Sequence, residues 1–583
     1  METTLTTRSH KAEIVIERLG KKLNRQIVGS LLGCVHCGNC IESCHYVLAN
    51  PGDPTYAPAW KGDQLRRIFK RHYDWTGRMF PWWVHAKSLY TDQDLEDLKD
   101  IVFGKCTNCR RCTINCPMGV DLPTFNRMAR GLLVSVGVMP EGVAVVSKDQ
   151  WEIGNQMGVL KEDYVDTLQW LTDEMRMEYG ENYPGIPIDK QDANVVYSIN
   201  PREVKYDPRT ISDAAMIFNA AGEDWTMPSE GWDMTNFGLF SGDDDLGGAC
   251  SRRLFEKVQE LGGRTLVISE CGHGYRSTRC EGQNWAKMDV DFRMESSIET
   301  MLRYIREGRI KVDKTRNDIP VTFHDSCNYA RGCGVTEEPR ELLQLICSDF
   351  REMYPNRAEN YCCTGGGGAM SMSEYTPRRL KSAKIKADQL KATGAKIVVT
   401  TCHNCVDGLA DLIKHYKLDM KVTQLVNLCA NALVWKPEVV AVPAEVVPVA
   451  AVAASLAGYR ILVADDEPDF VTFVSTVLED HGATVISASD GNRAFELARS
   501  EKPDLITLDI SMPGKSGIEV FELLRHTPET KQIPVCIITG KPEMRKLIYD
   551  RPVPPPEGYL DKPVDDETIL FNVRKTLKIE HVA

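Results

Sequence analysis

The rhythm of apolar and polar positions changes several times along this chain of 583 residues. Near the start, IVIERLGKKLNRQIVGSLL (14–32) spaces its apolar residues as a helix does, so helix is predicted within residues 1–33. Residues 131–435 read as mixed α/β. Apolar runs such as TLVIS (265–269) and KIVVTT (396–401) predict strands, each following a helix-like stretch. Residues 459–578 alternate short apolar strands with amphipathic helices and predict a separate α/β domain. Between the two lies EVVAVPAEVVPVAAVAASLAG (438–458), which is long enough to cross a bilayer. It is built from Ala, Val and Pro, with Pro443, Glu445 and Pro448 inside it and few Leu or aromatic anchors. An interdomain linker over 436–458 is the better reading.

The middle segment contains a repeat. LGGRTLVISECGHG ends at Gly274 and ATGAKIVVTTCHNC ends at Cys405, an offset of 131 that superposes Gly263 on Gly394 and Cys271 on Cys402. Carried back, the same offset sets Cys362-Cys363 on Gly231-Trp232, so the first copy is expected to have lost most of a cysteine set.

Composition narrows the chemistry. A net charge of −12 argues against nucleic acid as partner, because phosphate binding needs a basic face. The first twenty residues hold no apolar export signal. The twenty cysteines come in tight sets, which in a cytosolic chain point to metal rather than disulfides.

Two sets share the spacing C-x₂-C-x₂-C-x₃-C: Cys34, Cys37, Cys40, Cys44 and Cys106, Cys109, Cys112, Cys116, the latter followed by Pro117. A zinc site needs only four ligands, and eight cysteines in two identical runs fit it poorly. The spacing resembles that of bacterial-type ferredoxins, whose thiolates wrap cubane [4Fe–4S] clusters. In that pattern three cysteines of a run hold one cluster and the fourth reaches the other. Cys34, Cys37, Cys40 and Cys116 are therefore expected around one cluster, and Cys106, Cys109, Cys112 and Cys44 around the second. His45 stands where the first set would carry proline.

Downstream lie HDSCNYARGCG (324–334), YCCTGGGG (361–368) and TCHNC (401–405). Five thiols on three loops, Cys327, Cys362, Cys363, Cys402 and Cys405, exceed what one tetrahedral ion needs. Gly365–Gly368 let the backbone approach a bulky cofactor and aim N–H groups at anionic sulfur. The pattern resembles the CCG domain of heterodisulfide reductase catalytic subunits, except that Thr364 replaces the usual glycine. The resemblance implies a third [4Fe–4S] cluster, of unusual geometry, that cleaves sulfur–sulfur bonds in one-electron steps. His324 and Asp325 are candidates to supply or orient a proton. Cys333 is a further nearby thiol. Cys271 and His273 are expected to line the cleft between repeats where a substrate arm enters.

The C-terminal segment resembles a response-regulator receiver with a CheY-like, doubly wound sheet. YRILVADDEP places Asp465 and Asp466 after a first strand, and DLITLDISMPGKSG places Asp509 after a third. VCIITG places Thr539 after a fourth, and YLDKP places Tyr559 and Lys562 at a fifth. The resemblance implies Asp509 as phosphoacceptor, Mg²⁺ held by Asp465, Asp466 and Asp509, and switch positions at Thr539, Tyr559 and Lys562.

The expected fold class is thus multidomain, α+β and α/β. A helical ferredoxin-like two-cluster module (1–130) precedes a duplicated CCG α/β domain (131–435). That domain comprises a degenerate repeat at about 190–285 and an intact one at about 320–415. The linker and a flavodoxin-like receiver (459–583) complete the chain. The first two parts are similar to HdrD-like proteins. The degenerate repeat, ECGHGY and the HDSC…CC stretch resemble the DsrK-type branch, catalytic subunits of membrane-bound DsrMKJOP complexes in sulfur-metabolising prokaryotes. That resemblance implies a cytoplasmic subunit on the inner face of the membrane, docked on a DsrM-like haem-b partner with the other DsrMKJOP subunits. Its implied substrate is a trisulfide or disulfide on a small DsrC-like protein, with a histidine kinase as partner for the receiver. Two alternatives stay open: the iron–sulfur subunit of a hydroxyacid or glycerol-3-phosphate dehydrogenase, and a redox-sensing two-component signalling protein.

Overall fold

A computed structural model describes residues 8–435, 456–539 and 553–579, apart from Pro555, Pro563, Asp565 and Lys578. Most of the expected linker therefore lies outside the described residues. The chain divides into two compact units near residue 440.

The first unit opens with two helices rather than one continuous helix. Ser9 caps His10–Lys22 by accepting the Ala12 N–H, and Asn24 caps Arg25–Gly33 by accepting the Ile27 N–H. Ala12, Val15, Ile16 and Leu19 form the buried stripe the spacing predicts. These helices share one core with Pro58–Tyr73, Asp92–Gly104 and Leu122–Val134, and that core also takes in Phe237, Phe240, Leu246 and Met372 from far along the chain.

Arg130 ties these segments together. Wholly buried, it donates from Nε to Val102 O (2.8 Å), from Nη1 to Phe240 O (2.9 Å) and Gly367 O (2.7 Å), and from Nη2 to Cys106 O (2.7 Å). Burial lowers its pKa to about 10. Removing the guanidinium would take a donor from all four carbonyls; Val102 O keeps its bond from Asn126 Nδ2, and each of the others left unpaired costs about 1–3 kcal/mol. The expected ferredoxin-like and duplicated segments thus pack as one unit.

The repeat is a pair of four-stranded parallel sheets with matching strand order. The first comprises β1 (Val195–Ser198), β2 (Trp225–Thr226), β3 (Thr265–Ile268) and β4 (Arg293–Ser296), in the order β2-β1-β3-β4. The second comprises β5 (Val321–His324), β6 (Phe350–Arg351), β7 (Ile397–Thr400) and β8 (Lys421–Thr423), in the order β6-β5-β7-β8. Each runs one strand beyond the expected end of its repeat. Strands buried on both faces explain the unbroken apolar runs at TLVI and IVVT.

The register also corrects the expected correspondence. Val195 pairs with Trp225 and Val321 with Phe350, so the copies are offset there by 125–126 residues, not 131. The offset of 131 that set Cys362-Cys363 on Gly231-Trp232 therefore does not hold at the strands that precede the double cysteine. The difference arises because the first copy spends fewer residues between its second and third strands.

The second unit is a five-stranded parallel sheet of β9 (Arg460–Ala464), β10 (Thr484–Ala488), β11 (Leu505–Leu508), β12 (Val535–Thr539) and β13 (Gly558–Asp561), in the order β10-β9-β11-β12-β13. Leu456, expected in the linker, is buried in this unit's core, and its N–H donates to His481 O.

Candidate metal centres

In open α/β sheets, ligands gather beyond the carboxyl ends of the strands. Here β5 ends at His324 just before Cys327, β7 ends at Thr400 just before Cys402, and β3 ends at Ile268 just before Cys271. The expected thiols therefore converge, and the first repeat joins them.

Cys363 Sγ lies 3.2 Å from Cys405 Sγ, with His324 as their neighbour. Cys402 groups instead with Cys271 and His273. Cys271 Sγ is 3.0 Å from His273 Nδ1 and accepts from Asn200 Nδ2 at 3.5 Å. Cys271 is thus completely buried and sits directly beside Cys402. Hydrogen bonds from Cys362 and Cys405 hold the Cys363 thiol well below the ordinary range, and bonds from Cys271 and Cys405 do the same for Cys402. Cys327 shares the site, its thiol pushed up to about 12 by burial.

The double-cysteine loop is shaped for sulfur. The Thr364 N–H donates to Cys362 Sγ at 3.2 Å and the Gly365 N–H to Cys363 Sγ at 3.4 Å. Thr364 adopts φ +70°, a left-handed conformation that costs a β-branched residue and suits the glycine it replaces. A Cβ at Gly365 would lie 2.0 Å from Asn404 O, so only glycine lets the helix His403–Tyr416 press against this loop.

Two neighbouring groups escaped sequence reasoning. Lys386 is fully buried and donates to Asn360 Oδ1 at 2.5 Å. Asn360 Nδ2 donates to Asp325 O (2.9 Å) and faces His324 Nδ1 at 3.2 Å. An ammonium can only donate and a carbonyl only accept, so the orientation of Asn360 is fixed. His324 Nδ1 must then accept, which leaves its proton on Nε2, toward Cys363. Burial lowers Lys386 to about 7, against the opposing pull of Asp325 and the cysteines. The second group is Glu203, whose Oε1 lies 2.9 Å from His403 Nε2, both side chains being fully buried. This pair clamps the first repeat to the Cys402 loop.

Asp325 does not fill the proton-supplying role suggested for it. Arg340 binds both its oxygens at 2.8 Å, and the Arg357 N–H donates to Oδ2. It is a structural anchor.

The eight N-terminal cysteines fall as expected. Cys34, Cys37, Cys40 and Cys116 line one hollow, and Cys44, Cys106, Cys109 and Cys112 line another. His45 begins the short helix His45–Ala49, the entry role proline would play, and its ring bonds the Cys109 thiol. Burial works against the Lys61 ammonium, yet Cys44, Cys106 and Cys112 outweigh it and raise its pKa. The second hollow adjoins the double-cysteine site. Cys109 packs against the apolar cluster that holds Cys362 and Cys363, and Thr107 Oγ1 is 3.4 Å from Cys362 Sγ.

Four soft thiols in each of the first two hollows and five at the third, with backbone N–H groups on sulfur in all three, fit iron–sulfur groups. In the second unit, Lys562 Nζ lies 2.7 Å from Asp465 Oδ2 and 3.6 Å from Asp509 Oδ1, at the carboxyl ends of β9 and β11. Asp466 is exposed at the rim, and Thr539 and Tyr559 are buried. Two buried carboxylates and one exposed carboxylate fit a Mg²⁺ site.

Comparison with known proteins bears on each part. Residues 30–120 match a 4Fe-4S dicluster domain, 321–409 a cysteine-rich (CCG) domain, and 461–574 a response regulator receiver domain. The Hdr-like menaquinol oxidoreductase iron-sulfur subunit 2 of Archaeoglobus fulgidus is 25% identical over 70% of this chain and 81% of its own. One subunit of the dihydromethanophenazine:CoB–CoM heterodisulfide reductase of Methanosarcina barkeri is 25% identical over 71% of this chain and 96% of its own. Protein PilH of Pseudomonas aeruginosa is 38% identical over 20% of this chain and 97% of its own. Among the described residues, no helix is long and apolar enough to cross a membrane.

Proposed function

We propose that this chain, which is similar to heterodisulfide-reductase-like iron–sulfur subunits and carries dicluster, CCG and response regulator receiver domains, is the catalytic subunit of a membrane-associated electron-transfer complex of dissimilatory sulfur metabolism. It exchanges electrons between a quinone pool and a disulfide or trisulfide on a DsrC-like small protein. A haem-b subunit of the DsrM type and the other DsrMKJOP subunits hold it at the inner face of the cytoplasmic membrane.

The observation that carries this reading is the adjacency of the second hollow and the double-cysteine loop, where Thr107 Oγ1 lies 3.4 Å from Cys362 Sγ and Cys109 packs against the cluster that holds Cys362 and Cys363. It sets an electron-transfer cysteine set against a site with more thiols than a relay needs. Cys34, Cys37, Cys40 and Cys116 would hold one cubane [4Fe–4S] cluster, and Cys106, Cys109, Cys112 and Cys44 a second. Cys327, Cys362, Cys363, Cys402 and Cys405 would hold the third. Bound there, such groups supply one-electron steps. The chain's own part is positioning and proton supply. His324 keeps a proton on Nε2 beside Cys363, and the Lys386 ammonium holds Asn360 in the orientation that fixes this tautomer. Cys271 and His273 bound the other side of the site.

Anaerobic EPR with and without a DsrC-type trisulfide tests the reading. A substrate-dependent signal that disappears in Cys363→Ala is expected, whereas reconstituted protein with no third cluster overturns it. The Lys386 ammonium is present below about pH 7 and lost above it. The reduction rate should therefore fall as pH rises through about 7, and Lys386→Met should flatten that limb of the rate–pH profile. In the receiver, Asp509 is the proposed phosphoacceptor for a histidine kinase. A small phosphodonor should label the wild type and leave Asp509→Asn unlabelled.

A further inference from the structure

Away from these sites, Cys280 and Cys333 bring their sulfur atoms to 3.4 Å. Cys280 lies in the π-helical turn Ser277–Gly282, which continues the helix Gly272–Arg276 behind Cys271. Cys333 closes the helix Cys327–Cys333. Each thiol stands at the far end of an element whose near end carries a cysteine of the site, Cys333 about 9 Å along its helix. The two elements belong to different repeats and touch through Arg276, whose Nη1 donates to Asn328 Oδ1 at 3.3 Å.

The pair has the asymmetry of an exchange dithiol. Cys280 is exposed and Cys333 half-buried. The hydrogen bond from Cys333, helped by Arg276 and Arg279, lowers the Cys280 thiol to about 7, while Cys333 keeps its proton. Gly332 and Gly334 flank Cys333, the latter at φ +77°, so its backbone can make the small shift that S–S bonding at about 2.05 Å requires.

We propose that Cys280 and Cys333 form a thiol–disulfide exchange site that reacts with small disulfides and ends as a crosslink between the two repeats. The Cys280 thiolate attacks the small disulfide, whose S–S bond breaks and releases one thiolate. Cys333 then loses its proton and attacks Cys280 Sγ, releasing the second thiolate. Two protein thiols are oxidised to one disulfide, and one small disulfide is reduced to two thiols. The crosslink pins the helix that carries Cys327 to the element that follows Cys271.

The test uses the full chain, held anaerobically with glutathione disulfide, then alkylated and digested with trypsin. Cleavage after Arg279, Lys287, Arg331 and Arg340 yields CEGQNWAK (280–287) and GCGVTEEPR (332–340), each with a single cysteine. The expected result is a disulfide-linked pair of these peptides that dithiothreitol separates, with iron content unchanged. Cys333→Ser should instead retain a glutathione adduct on Cys280. Recovery of both peptides alkylated, or of separate glutathione adducts in the wild type, overturns the proposal, as does an unmodified Cys280 in Cys333→Ser. The readout follows thiols rather than turnover, so it stands or falls independently of the proposed function.

Discussion

The two repeats share a sheet order and differ in the loops beyond their strands. In the second, the loop beyond β6 carries Cys362 and Cys363 and turns two backbone N–H groups onto their sulfurs. In the first, the shorter stretch between β2 and β3 carries no cysteine pair, and its Phe237 packs edge-on against Phe240 in the helical core. One copy thus offers sulfur and the other an apolar wall. The first copy is still not inert. Cys271 and His273 stand beside Cys402, and Glu203 grips His403. Duplication has yielded one composite site rather than two equal ones.

The contrast can be broken most severely at Gly365. Gly365→Ala drives a methyl into Asn404 O, so the variant should lose the double-cysteine cluster, about four of roughly twelve iron atoms per chain. Iron analysis showing a full complement would contradict the role given to this close approach. Next comes Glu203→Ala, which strips His403 of its buried hydrogen-bond partner and should cost about 1–3 kcal/mol in denaturant unfolding. A loss below about 1 kcal/mol would mean that the first repeat does not brace the Cys402 loop. Cys271→Ser should keep all its iron yet slow turnover about tenfold, equivalent to about 1.4 kcal/mol in barrier; unchanged turnover would reduce Cys271 to packing. The mildest change is Thr364→Gly, which relieves a left-handed β-branched residue and should stabilise the loop by about 1 kcal/mol, seen as slower loss of iron to a chelator.

Much of this was legible in the chain. The short spacing of the eight N-terminal cysteines predicted that three of each run converge, and the resemblance to ferredoxins implied that the fourth of each run crosses to the other hollow. The receiver was legible because Asp465, Asp466, Asp509, Thr539 and Lys562 each stand at or just past the end of a short apolar strand. What could not be read spans long separations. Glu203 meets His403 across 200 residues, and Arg111 reaches Glu359 O across 248. No local pattern marks either. Lys386 sits in the helix Lys384–Thr393 among Lys384 and Lys391 and looks like an ordinary surface lysine until packing buries it. The offset of 131 misled for a related reason. A single number cannot describe two copies whose loops differ in length between matching strands.

The four carbonyls gathered by Arg130 have a consequence for electron transfer. Cys106 O belongs to the second ferredoxin-like set and Gly367 O to the double-cysteine loop, so one rigid side chain fixes the separation between donor and acceptor. Under the proposed function, an electron passing between these two sites would wait on no domain swing. Its rate is set by tunnelling distance and driving force, and thickening the solvent with sucrose should leave it unchanged.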